Sequence, residues 1–282
     1  MDITKDITKE LFEKYVPAAK TADRNTSVFN RMQQYFETGL IWLREYIFGE
    51  AFIAHLDDED IKPIVLEYLC VNGFYLAIPS LDLVLTGTGF GVVSTQDTAP
   101  ASKDRVERLR SDMCWKGLLV KSRLFKQLVK LDGWGESQNA IDQIASLYYD
   151  PEMLARFGPV DPDQSMMYSW KRVLTYRHDG DMSVAREISP EYYKELLKKI
   201  RTAKLTSYDH DLMNHALRYI AASIVQRING DPHIDAAIWG LRDHMERNID
   251  NYPEYKASKL YQALHGEHYE NKKEDSAFFF TA

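Results

Sequence analysis

Apolar residues recur every three or four positions over most of this chain, the repeat of a helix that buries one face. Across residues 27–55 the repeat is carried by Val28, Met32, Tyr35, Phe36, Gly39, Leu40, Leu43 and Ile47, which predicts one long helix. The acidic run of residues 57–60 breaks it and suits the start of the next helix, where carboxylates meet the positive end of the dipole. That helix is expected to reach Ile78, with Pro79 as punctuation. The most regular stripe is Val106, Leu109, Met113, Gly117, Val120, Leu124, Leu128 and Leu131, predicted buried along its full length. Ser102 stands where an N-cap belongs, and Gly133 and Gly135 flank Trp134 at the far end.

The middle, residues 136–188, reads as short helices and turns. Asp150-Pro151 and Asp161-Pro162 are cap-plus-proline signals, and His178-Asp179-Gly180-Asp181 reads as a turn. Ser189-Pro190 opens a second helical block, with Tyr193, Leu196, Leu197 and Ile200 in its first helix. Met213, Leu217, Ile220, Ile224 and Ile228 mark another helix, and Ile234, Ile238, Leu241, Met245 and Ile249 a third. Two β-type runs, around Leu83 and Val92, flank a Gly-Thr-Gly turn at Gly87 and Gly89.

The fold class expected is therefore mainly α: a helical bundle in two blocks, with an inserted β-hairpin arm and an extended C-terminal tail. The N-terminal block spans 1–135 with the arm at about 81–95, the connecting region 136–188, the C-terminal block 189–265 and the tail 266–282.

Composition changes this picture little. Of 282 residues, 45% are hydrophobic and 27% charged, which argues against a disordered chain. Net charge −7 argues against a general nucleic-acid coat. Two cysteines, Cys70 and Cys114, lie in no paired motif and suit a reducing compartment. The acidic N-terminus is unlike a secretory signal, and no uninterrupted apolar run approaches the ~20 residues that span a bilayer. A soluble intracellular protein with no membrane partner is expected.

Candidate chemistry is sparse. The glycines 87, 89 and 91 are followed by Val92, Val93, Ser94 and Thr95, not by a helix, so a nucleotide-binding turn lacks its context. His178-Asp179 and His210-Asp211 resemble the metal dyad of helical phosphohydrolases, with His215 one turn beyond Asp211. No third motif converges on them, and helix capping accounts for 209–211. His265 and His268 lie in a polar terminal stretch. No metal or cofactor is expected, and no nucleophile motif occurs.

The helix after Ser102 is basic on its other faces, with Arg105, Arg108, Arg110, Lys116, Lys121, Arg123, Lys126 and Lys130. It is either a solvated face with internal pairs or a contact for DNA or an acidic partner. Phe278, Phe279 and Phe280 follow the polar stretch HYENKKEDSA and either fold back or reach a neighbour, because three exposed aromatics invite aggregation.

GTGFGVVS followed by APASKDRVERL, then SPEYYKELLKKI and ENKKEDSAFFF, together resemble a family of virion structural proteins from phages and prophages of Bacteroidetes. Its members are similar to head–tail connector or adaptor proteins. The resemblance implies a non-enzymatic subunit in a closed ring of about a dozen copies, built by head-to-tail contacts. Its partners would be the portal, tail or further ring proteins, and genome DNA read without sequence specificity. Its place would be the head–tail interface of the virion, and the host cytoplasm during assembly. The resemblance makes Leu85, Gly87, Gly89, Phe90, Val92 and Val93 an inter-subunit arm and Phe278–Phe280 a tail contact. The alternatives are a metal-dependent helical phosphohydrolase and a helical DNA-binding or scaffold protein.

Overall fold

A computed structural model describes residues 2–20, 28–81, 83–86, 89–92, 102–158, 160–229 and 235–266. Thr8 starts the first helix, α1 (Lys9–Tyr15), by accepting a hydrogen bond from the Leu11 amide. The long helix expected over 27–55 is in fact several pieces. A 3-10 turn (Val28–Arg31) leads to α2 (Gln33–Leu43), which loosens into a π-helical turn (Arg44–Phe48). Gly49, at φ 65°, then redirects the chain into a 3-10 segment (Glu50–Asp57). A left-handed residue cannot continue a right-handed helix, and glycine adopts that conformation at least cost.

The acidic break does precede a helix: α3 (Lys62–Leu81) starts just after it and passes through Pro79 before ending. This helix is long and apolar enough to cross a membrane by length and composition. Here it packs between α2 and α4 (Lys103–Leu128), with Val65, Leu69, Val71 and Phe74 in the core. Between α3 and α4 the described backbone pairs β1 (Leu83–Thr86) antiparallel with β2 (Gly89–Val92), in register Leu83↔Val92 and Leu85↔Phe90. That is a local ribbon of two four-residue strands. It does not carry the further expectation of an arm that reaches another subunit.

The apolar stripe of α4 is buried only in its second half. Gly117, Val120, Leu124 and Leu128 are buried, whereas Val106, Leu109 and Met113 are half-exposed. The expectation of full burial fails because α3 and the rest of the core cover only one end of a 26-residue helix. Past α4, Trp134 donates from Nε1 to the Ile47 carbonyl at 3.0 Å. Gly135 lies so close to Arg201 that a Cβ there would clash with the Arg201 carbonyl oxygen.

In the middle region, α5 (Gln138–Gln143) is capped by Ser137. Asp150 lies at the start of α6 (Glu152–Phe157) and accepts from the Ser122 hydroxyl at 2.7 Å and the Glu152 amide at 2.8 Å. Asp161-Pro162 makes a turn, not a helix start; Ser165 caps the next helix, α7 (Met166–Ile188). The turn expected at 178–181 is inside α7. Gly180 faces α9 (Ser207–Asn229), where a Cβ would meet the Ser223 hydroxyl at 2.9 Å and Ile220 Cγ2 at 3.1 Å. The glycine serves close helix packing, and Asp181 turns inward to accept from the Leu147 amide.

Ser189 and Pro190 open α8 (Pro190–Arg201) as expected, the serine accepting from the Tyr192 amide. α9, α10 (Asp235–Arg247) and α7 pack on one another; α11 (Pro253–Lys256) lies against α8, and α12 (Lys259–His265) against α11. One continuous hydrophobic core links the helices around α3 to those around α7.

Candidate functional site

The middle of α4, from Met113 to Lys121, is one wall of a groove. Thr38 and Trp42 from α2, Tyr68, Asn72, Tyr75 and Leu76 from α3, and Met113, Cys114, Gly117, Leu118 and Lys121 from α4 enclose a cavity of about 370 Å³. Helical spacing explains the grouping. Residues 68, 72, 75 and 76 share one face of α3, and 114, 117, 118 and 121 share one face of α4. Glycine at 117 leaves the floor open, because Val71 is 3.9 Å from the place of its missing Cβ.

The walls are aromatic. Trp42 stacks on Tyr68 with ring centroids 5.9 Å apart and leans on Tyr46 at 6.1 Å. The Lys121 ammonium lies 5.5 Å from the centre of the Trp42 ring and 5.6 Å from that of Phe125, so two aromatic faces flank it. Among the described residues no carboxylate pairs with it. Burial pulls its pKa below the usual lysine value, and the nearby Arg177 guanidinium adds to the shift. Arg110 covers Tyr75 at the rim, at 5.4 Å. Beside the groove Ile41 and Tyr46 are each 54% exposed, extending the apolar surface.

Cys114 is half-buried in the same wall. Burial pushes its thiol up, against the Tyr75 hydroxyl and the nearby cations, and burial pushes Cys70 up to about 12. Neither is a thiolate at neutral pH, so neither is an activated nucleophile.

The basic residues singled out from the sequence divide into two sets. Toward the C-terminal end of α4, Arg123 pairs with Glu67 at 2.8 Å, Lys126 pairs with Glu152, and Lys116 donates to the Tyr15 carbonyl. Arg105 and Arg108, near the N-terminus, are exposed. Of the expected arm residues, Leu85 and Phe90 are paired in the ribbon, and Gly89 and Val92 lie in β2. Gly87 and Val93 lie outside the described residues, as do Phe278, Phe279 and Phe280.

The histidine motifs do not converge. Among the described residues no group of three or more His, Cys, Asp or Glu side chains gathers to hold a metal ion. His178 is exposed and Asp179 pairs with Arg227 at 2.9 Å. His210 and Asp211 are exposed. Asp209 is fully buried and accepts from the Thr206 amide and hydroxyl and from the Tyr192 hydroxyl, while Thr206 accepts from the Asp209 amide. That is a reciprocal cap. Burial would raise the Asp209 pKa, but these bonds and Lys199 hold it below the usual carboxylate value. The His268 of the terminal stretch is outside the described residues; His265 rests on Tyr261 and Glu246.

The groove itself was missed by sequence reasoning. Its signal was present in Ile41, Trp42, Tyr46 and Leu76, apolar residues outside the α2 stripe or beyond what one core face needs.

Residues 22–142 match the model of a family of unknown function (DUF6712). That span holds α2, α3, the ribbon and α4, and so every residue of the groove. No curated protein and no solved structure matches the chain.

Proposed function

We propose that this chain is a structural, non-enzymatic subunit of a virion, one copy in a head–tail connector ring between portal and tail. The groove carries the reading. An apolar, aromatic surface that holds a cation with no carboxylate partner among the described residues is suited to be covered by another protein segment. The exposed Arg105 and Arg108 fit the phosphates of DNA passing through such a ring, while net charge −7 limits sticking along the channel. The segment around the paired strands serves as an arm to a neighbouring subunit, in keeping with the resemblance of GTGFGVVS to connector proteins. No catalytic residue is assigned.

The test is the mass of the purified chain in solution, alone and mixed with its cognate portal. A chain that joins the portal as a large defined ring supports the reading. A monomer or dimer that ignores the portal removes it.

A further inference from the structure

We infer that the groove between α2, α3 and α4 is the receptor for the acidic, aromatic segment of residues 274–280 from a second copy of this chain. The inference rests on the assembly reading above. The groove asks for two things: flat apolar side chains against Trp42 and Tyr75, and an anion for Lys121. The segment supplies both within a few residues, Glu274 and Asp275 and then Phe278, Phe279 and Phe280. Extended, it would separate Asp275 from Phe278 by about 10 Å. The groove runs along α3 from Tyr68 to Leu76, about 12 Å of helix.

Reach also suits a second copy. Twelve positions separate Gly266 from Phe278, so the chain between them can span about 40 Å, more than the ~30 Å width of a small domain. A cation that no carboxylate pairs with among the described residues and a segment that joins two carboxylates to three phenylalanines are thus complementary in charge and in apolar character.

The experiment uses the full-length chain with Phe278, Phe279 and Phe280 all replaced by Ser, so that its own segment cannot compete. A fluorescent peptide of residues 271–282 is titrated into it and followed by anisotropy. Saturable binding is expected, together with slower alkylation of Cys114 when peptide is present. Lys121→Met, which keeps the side-chain stem, is expected to weaken binding at least about tenfold. A peptide carrying Glu274→Gln and Asp275→Asn is expected to weaken it similarly, and this arm stands even if the lysine variant folds poorly.

Binding that is absent, or indifferent to both substitutions, overturns the proposal. So does an unsubstituted chain that excludes the peptide equally at every dilution, because the segment then docks on its own molecule. If the peptide fails but anilinonaphthalene sulfonate binds with the same Lys121 dependence, the groove takes a foreign anionic aromatic ligand instead. A ring that still forms on the portal without peptide binding would leave the connector role standing and remove this contact alone.

Discussion

At position 180 the missing Cβ sets how closely α7 and α9 approach. Ile220 Cα, a backbone atom, would lie 3.2 Å from a Cβ there and cannot move aside cheaply. Gly180→Ala is therefore expected to lose about 1–2 kcal/mol of stability, the ~1 kcal/mol gain in helix propensity being outweighed by overpacking. A rise in the urea midpoint would show that the helices have room to spare. Ser189 shows a different compromise. It is fully buried at φ 71°, a region that disfavours a side chain, yet its hydroxyl caps α8. Ser189→Ala keeps the strain and loses the cap, and is expected to cost about 1–2 kcal/mol. Ser189→Gly relaxes the backbone and should cost distinctly less. Equal losses in thermal melts would mean that the backbone at Ser189 holds no strain for glycine to relieve.

Among the elements, α4 is the one whose two ends do different work. Its C-terminal bases are engaged with Glu67 and Glu152, which come from α3 and α6. Both bases are exposed, as is Glu152, while Glu67 is largely covered, so neutralising Lys126 is expected to lower stability by no more than about 1 kcal/mol and neutralising Arg123 by somewhat more. DNA affinity should be unaffected by either change. The N-terminal end has exposed arginines instead. If they meet phosphates, the double substitution Arg105→Glu with Arg108→Glu should reduce the slope of log affinity against log salt by about 2. Filter binding to duplex DNA across a salt series measures this, and an unchanged slope would take both arginines out of any DNA contact. The same helix supplies Lys121 to the groove, so one element carries a core stripe, a docking wall and a charged tip.

At the scale of the whole molecule the buried tyrosines set the alkaline limit of stability. Burial raises Tyr149 to about 12 and pushes Tyr68, Tyr148, Tyr192, Tyr193 and Tyr252 higher still. An unfolded chain releases these protons near pH 10, so above that pH it binds fewer protons than the folded state and stability falls. Lys121, depressed by burial, works in the opposite direction but is one group against six. The urea midpoint should hold up to about pH 10 and then drop steadily, with the phenolate absorbance of these six of the 17 tyrosines rising only with unfolding. The full phenolate absorbance in a chain that is still folded would contradict the burial. By itself the sequence determined where α4, α8, α9 and α10 run, and that Ser189-Pro190 begins a helix. Those outcomes follow from short-range causes, namely periodicity, caps and proline, which act within a few residues. Tertiary structure decided that 178–181 stays helical, because Gly180 is held against α9, forty residues away in sequence. It also decided which bases are paired and which apolar residues enclose a groove. Pairing and enclosure depend on helices brought together from distant parts of the chain, and no local pattern records which of them will meet.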